Sequence, residues 1–144
     1  MAVAEIKETL NVDKDQLFAA ICRYEDYPKF VDGVKSVKVE RKGPGVTKAM
    51  YHVNMLKDVT YSLDIKDNAE SGVIEWSLIE SDFFKINNGR WELKSVGPGK
   101  TEAHYRLEIE FKFPVPGMIL NKLIKNQLPA MIKSFEKQAK AHGG

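Results

Sequence analysis

Between Thr101 and Phe113 the chain alternates without a break. Thr101, Ala103, Tyr105, Leu107, Ile109, Phe111 and Phe113 are interleaved with Glu102, His104, Arg106, Glu108, Glu110 and Lys112. Successive side chains of a strand point to opposite faces, so this stretch predicts a long strand with one apolar and one solvated side. Pro114-Val115-Pro116-Gly117 ends the pattern, and the period then changes. Leu120, Leu123, Ile124, Leu128, Met131, Ile132 and Phe135 recur at three- and four-residue spacing, as in an amphipathic helix. A helix of about 25 residues spans roughly 37 Å, a length that suits a strongly curved sheet better than the thickness of a compact core. A one-faced strand running into a one-faced helix predicts a sheet wrapped around that helix, with room for an apolar cavity between them.

The rest of the chain supplies the other strands. Residues 3–10 read as a first strand. Asp13 is placed to cap a helix, with Gln16 completing a capping box, Val12 stapling onto Leu17, and Leu17, Phe18, Ile21 and Tyr24 forming its apolar side. Pro28 predicts the end or a bend of that helix, leaving 27–31 as a second short helical piece or a turn. Strands are expected near 34–42, 46–55, 59–66, 73–79 and 90–96. Gly43-Pro44-Gly45, Ser71-Gly72, Asn87-Asn88-Gly89 and Gly97-Pro98-Gly99 mark the turns between them. Short turns require antiparallel neighbours. The expected architecture is α+β: about seven antiparallel strands curved around a long C-terminal helix, with two short helices after the first strand.

At 144 residues the chain fits one domain, 1–144, with no linker, repeat or low-complexity stretch. Its formal net charge of +2 makes no case for nucleic acid. A lone cysteine, Cys22, rules out an internal disulfide and suits a reducing compartment. Residues 1–10 carry Glu5, Lys7 and Glu8 and do not read as a secretory signal. No stretch has the roughly 20 apolar residues that span a bilayer. A cytoplasmic protein, monomeric or weakly dimeric, is the expectation.

Three stretches carry a likeness to a known family: Tyr24 to Phe30 (YEDYPKF) with VKSVKV after it, Gly89 to Leu93 (GRWEL), and the run HYRLEIEFKFPVP into the final helix. In these the chain resembles the helix-grip superfamily of START lipid-transfer domains, polyketide cyclases and birch-pollen-allergen-type proteins (SRPBCC). It is most similar to the small bacterial coenzyme-Q-binding and polyketide-cyclase/dehydrase-like members. The resemblance covers nearly the whole chain and implies the helix-grip fold and an internal apolar cavity; its motifs are structural, and none is a catalytic signature. Val31-Asp32-Gly33 stands where the coenzyme-Q-type proteins usually have a Leu-Pro-Trp or Leu-Pro-Gly turn, so a quinone is not carried over specifically.

The inward registers nominate the cavity wall: Phe30, Tyr51, Val53, Tyr61, Leu63, Trp76, Leu78, Trp91, Tyr105, Leu107 and Ile109 from the sheet side, and Leu120, Ile124 and Leu128 from the helix. Phenol and indole tips are costly to bury unpaired, so some of them should face a ligand or water. Pro129 removes an amide bond back to Lys125 and predicts a kink in the helix, either a static bend that follows the sheet or a hinge that opens one end of the cavity. Lys122, Lys125, Lys133, Lys137 and Lys140 share one-third of the helical wheel, with Glu136 the only acid among them. That face is either simply solvated or docks onto an anionic surface, an anionic membrane before RNA. His52, His104, His142 and Cys22 show no metal-ligand spacing, and no phosphate loop or nucleophile elbow is present.

The expected function is binding or transport of a hydrophobic small molecule (a lipid, an isoprenoid quinone or a polyketide-like compound), with no cofactor, metal or catalytic residue assigned. A cyclase or dehydratase is the alternative; it would need a general acid or base in the cavity. Tyr61 and Tyr105 are the titratable candidates, with Arg90, His52 or Asn54 to assist. A ribosome- or RNA-associated module comes third, because the lysine face lacks the aromatic groups that stack on bases.

Overall fold

The computed structural model describes residues 2–55 and 57–143, without the side chains of Met55, His142 and Gly143. One antiparallel sheet runs in the order β1-β7-β6-β5-β4-β3-β2. Its strands are β1 (Ala2–Leu10), β2 (Val34–Gly43), β3 (Val46–Met55), β4 (Lys57–Asn68), β5 (Val73–Ser81), β6 (Phe84–Gly97) and β7 (Lys100–Phe111). Strands β2 to β7 form a meander, and β1 closes onto β7 with Leu10 opposite Thr101 and Ala2 opposite Ile109. Helix α1 (Lys14–Cys22) and a 3₁₀ turn (Tyr24–Lys29) link the two edge strands. The C-terminal helix comprises α2 (Gly117–Lys122), a π turn (Leu123–Gln127) and α3 (Leu128–Gly143). This is the α+β helix-grip arrangement that the alternation in β7 and the helical spacing after it predict. Thr101, Ala103, Tyr105, Leu107 and Ile109 are all buried, facing Leu128, Ile132, Phe135 and Ala139. Among the described residues no helix is long and apolar enough to cross a membrane.

The sheet has two ends. At one lie the β2–β3, β4–β5 and β6–β7 turns, and the start of α1 meets the last two of them, with Lys14 donating to the Glu70 carbonyl at 3.3 Å. There Asp13 departs from its expected role: its carboxylate does not cap α1 but accepts the Gly99 N–H at 2.9 Å, tying the helix to the β6–β7 turn. Buried Thr101 adds a 2.7 Å bond from its hydroxyl to the Val12 carbonyl. Gly72, at φ +73°, lies so close to the Leu93 carbonyl and the Lys14 side chain that a Cβ would stand 2.5 Å and 2.7 Å from them. The β3–β4 and β5–β6 connections and the run into α2 lie at the other end, with the 31–33 segment that precedes β2.

Four further expectations change. Asn87-Asn88-Gly89 does not interrupt a strand; it lies inside β6. Asn87 Oδ1 accepts the Trp76 indole N–H at 3.2 Å, and Asn88 Oδ1 accepts the Leu78 N–H at 3.3 Å. The turn-prone side chains here replace main-chain pairing, since β5 and β6 share only the four residue pairs from Val73–Glu92 to Trp76–Gly89. Pro28 does not end a helix but sits within the 3₁₀ turn, which starts at Tyr24 after α1 has stopped; a 3₁₀ turn asks for fewer amide donors than a long α-helix. Strand β7 ends at Phe111, so Phe113 is not an inward-facing strand residue and is 36% exposed.

The fourth concerns Pro129. In place of a simple kink, the turn before it widens, and Leu128 N–H donates to the Leu123 carbonyl, five residues back. Proline leaves the Lys125 carbonyl without its usual donor, and the wider turn absorbs the defect. Each such turn also shifts the register beyond it by about one residue. The lysine stripe drawn on a continuous wheel is therefore divided. Lys122 and Lys125 precede the shift, whereas Lys133, Lys137 and Lys140 follow it. Lys133 is paired with Glu8 of β1 at 2.8 Å, and Glu136 accepts the Asn11 N–H at 2.7 Å.

Candidate functional site

Between the concave face of the sheet and the C-terminal helix lies a cavity of about 440 Å³, within the 300–1,000 Å³ typical of small-molecule sites. Inward registers of five strands build its wall: Tyr51 and Val53 from β3, Tyr61, Leu63 and Ile65 from β4, Ile74 and Trp76 from β5, Phe84, Asn87 and Trp91 from β6, and Tyr105, Leu107 and Ile109 from β7. The helix closes it with Leu123, Leu128, Met131 and Phe135, and Ile21, Tyr24 and Tyr27 complete the side nearest α1. Asp32, Gly33, Asn54, Asn126, Gln127 and Ala130 also line it and are exposed, so the cavity opens to solvent between the 31–33 segment, the end of β3 and the π turn.

Ten of the nominated wall residues are brought together here: Tyr51, Val53, Tyr61, Leu63, Trp76, Trp91, Tyr105, Leu107, Ile109 and Leu128. Phe30, Leu78, Leu120 and Ile124 are not. Phe30 lies behind the wall, its ring 5.1 Å from Phe135 and 5.9 Å from Tyr27. Leu78 follows the point where β5 parts from β6, and a bulge at Ser62/Leu63 alters its pairing with β4. Leu120 and Ile124 pack on the core from outside, while the π turn presents Leu123, Asn126 and Gln127 to the cavity. The inward alternation Asn87, Gly89, Trp91, Leu93 could have identified Asn87, had the Asn-Asn-Gly run not been read as a turn. Gly89 leaves the space that Trp76 fills: a Cβ on it would meet the indole ring at 2.1 Å.

Tyrosines dominate the chemistry. Tyr51 and Tyr61 stack with ring centres 5.2 Å apart, and Tyr105 lies 4.9 Å from Trp91 and 5.8 Å from Trp76. Tyr24 donates to Asp67 at 3.1 Å and Tyr27 to the Ile21 carbonyl at 2.5 Å. Among the described residues the hydroxyls of Tyr51, Tyr61 and Tyr105 have no protein partner, yet none is sealed from open space; the only occluded unpartnered side-chain atom is Nε of Arg106, on the outer face. These three phenols line the cavity.

Burial raises the pKa of all five tyrosines of the chain; for Tyr51 and Tyr105 the Tyr61 phenol adds to it, and for Tyr24 the Cys22 and Asp67 groups do. The cavity is therefore lined by neutral donors at physiological pH. Below about pH 10 the tyrosines are protonated in folded and unfolded chains alike. Above it the unfolded chain releases protons that the folded one keeps, so stability declines with rising pH. An alkaline titration followed by tyrosinate absorbance should show no separate step near pH 10 and one cooperative rise with unfolding. Stepwise ionisation of a folded protein near pH 10 would contradict this burial.

Other candidates are placed elsewhere. Arg90 pairs with Glu75 and Glu92 on the outer face, and His52, between the inward-facing Tyr51 and Val53 of β3, is not part of the cavity wall. Neither helps a cavity tyrosine; Asn54 reaches only the rim, where it donates to Asp58. Burial, with Asp67 beside it, pushes the Cys22 thiol up to about 12, the state of an inert thiol. His142 lies outside the described side chains. Among the described residues no His, Cys, Asp or Glu cluster could hold a metal ion.

Comparison with known proteins settles the family. The profile of the polyketide cyclase / dehydrase and lipid transport family matches residues 10–136. The chain belongs to that family. Polyketide cyclase-like folds recur among solved structures. The Zhui aromatase/cyclase from Streptomyces sp. R1128 superposes with a TM-score of 0.87 at 12% identity, over 99% of this chain and 96% of its own. A START superfamily protein from Mycobacterium smegmatis gives 0.84 at 20% identity, over 97% and 98%. The 18 kDa protein CC1736 from Caulobacter crescentus gives 0.80 at 23%, over the whole of both chains. At these identities the likeness is one of fold. No curated protein matches the sequence.

Proposed function

We propose that the protein binds and carries one hydrophobic small molecule in the cavity between sheet and helix, and that this molecule bears carbonyl or hydroxyl oxygens. The carrying observation is an apolar wall interrupted by three phenol groups, those of Tyr51, Tyr61 and Tyr105, that have no protein partner. Apolar burial supplies affinity, at about 25 cal/mol per Å². The phenols supply selectivity: a ligand oxygen that satisfies one contributes about 0.5–1.5 kcal/mol, and an alkyl chain satisfies none. A polyketide-like compound or a quinone head fits this better than a simple acyl chain.

Family membership also admits a cyclase or dehydratase. Neutral phenols can polarise a carbonyl, but the one carboxylate of the described lining, Asp32, is exposed on the rim. A deep acid with no deep base favours holding a ligand over shuttling its protons. Native mass spectrometry of the purified protein, with organic extraction, tests the reading. The expected result is a stoichiometric oxygenated apolar compound, retained about tenfold less well when Tyr51, Tyr61 and Tyr105 are all changed to Phe. A bound simple hydrocarbon chain, or unchanged retention in the triple variant, would remove the oxygen-recognition argument; conversion of the compound on incubation would establish the enzyme.

A further inference from the structure

The end of the sheet where the cavity opens also carries the most exposed apolar side chain among the large hydrophobics. Met118 on α2 is 83% exposed, with Ile119 at 37% and Phe113 at 36% beside it in sequence. The Pro114–Gly117 run holds these groups at the tip, and α2 begins with Pro116 accepting the Ile119 and Leu120 amides. Lysines are interleaved with them. Lys122 is four residues from Met118 and shares its helix face, and Lys57, at the start of β4, lies 5.6 Å from the centre of the Phe113 ring. Lys112 and Lys125 are exposed at the same end. None of these four lysines has an ion-pair partner among the described residues, whereas Lys35 at the same end is held by Asp58 at 3.0 Å. The acids at this end are Asp32, Asp58, Glu80, Asp82 and Glu110, of which Asp58 is already held by Lys35 and Asn54.

We infer that this tip docks on an anionic phospholipid surface, with Met118 and Ile119 entering the headgroup layer and Lys57, Lys112, Lys122 and Lys125 on the phosphates. Protruding apolar side chains ringed by unpaired cations match an interface that is greasy below and negative above. A protein groove would instead call for a broad, packed apolar patch. The π turn joins the tip directly to the cavity: Leu123, next to Lys122, is part of the wall. The placement rests on the carrier reading for its purpose, since it sets the cavity opening against the membrane, but the docking is measurable without any ligand.

The test is flotation with vesicles of phosphatidylcholine containing about one-third phosphatidylserine, against pure phosphatidylcholine. Binding is expected to the anionic vesicles, to weaken as salt rises, and to fall about tenfold for Met118→Ser. Each lysine near such a surface is worth about fivefold, so Lys122→Glu with Lys125→Glu should lose at least about 30-fold. The control is Lys137→Glu with Lys140→Glu, the same charge change roughly 22 Å along the helix, which should bind nearly as the parent does. All the substituted side chains are exposed, so melting and uptake of a neutral naphthylamine probe should not change. Equal losses in the control pair, equal binding to neutral vesicles, no vesicle binding, or self-association through Met118 in its place would each overturn the docking. Loss of probe uptake with docking intact would count against the carrier reading alone.

Discussion

Changing Phe135 to alanine is expected to lower the stability of the fold by about 3–5 kcal/mol, the cost of deleting a buried phenylalanine that its surroundings cannot collapse around. Phe135 is 2% exposed, and its ring meets Tyr27 and Phe30 at 5.1 Å and Trp91 at 5.5 Å, all edge-on. It is the point at which α3, the 3₁₀ turn and β6 are held together. Edge-to-face pairs contribute about 0.5–1.5 kcal/mol beyond burial, and an alanine removes three of them at once. The exposed Lys133–Glu8 pair on the same helix cannot compensate, since surface pairs are worth little. Urea unfolding of the two proteins gives the number directly. A loss below about 1.5 kcal/mol would mean that the helix is held mainly by its other contacts.

The second large effect is on binding. Leu107 is at the centre of β7, opposite Ala4 and Gly89, and faces the open interior. An indole there would project into the middle of the cavity and divide it without displacing a strand. Leu107→Trp is therefore expected to weaken binding of a neutral naphthylamine probe more than 100-fold, while stability changes by no more than the 1–3 kcal/mol of a crowded core. Ile79→Trp, at a half-exposed position outside the cavity, serves as the comparison and should bind as the parent does. If the Leu107 variant binds as well as the Ile79 variant, the ligand sits somewhere other than beneath this sheet.

The parts of the fold that depend on one-dimensional pattern were legible from residues alone. The alternation through Tyr105, Leu107 and Ile109 fixed which face of β7 is buried, and the spacing of Leu128, Ile132 and Phe135 did the same for α3. What escaped depends on competition between groups distant in sequence. Asp13 could cap its own helix or accept from Gly99, 86 residues away, and the second wins. Asn87 and Asn88 have turn-forming side chains, but Trp76 and the Leu78 amide offer them better partners. Pro129 announces a defect without saying how it is absorbed, and the π turn decides that Leu123 rather than Leu120 or Ile124 reaches the cavity. The site was readable as a type of surface, aromatic and concave. The free phenols were not, because whether Tyr51 or Tyr24 finds a partner depends on where Asp67 lies.

The short ladder between β5 and β6 has a mechanical meaning. Seven strands share one sheet, yet across this line only four residue pairs join the group β2–β5 to the group β6, β7 and β1. Beyond Trp76 the two are fastened by a pair of asparagine side chains, each of which bends more easily than a main-chain ladder and opens at lower cost. The container is thus two shells on a common seam, with the tyrosines Tyr51 and Tyr61 on one shell and Tyr105 on the other. This seam is the line across which the sheet has the fewest main-chain bonds, so it is where widening the interior for a guest would cost least.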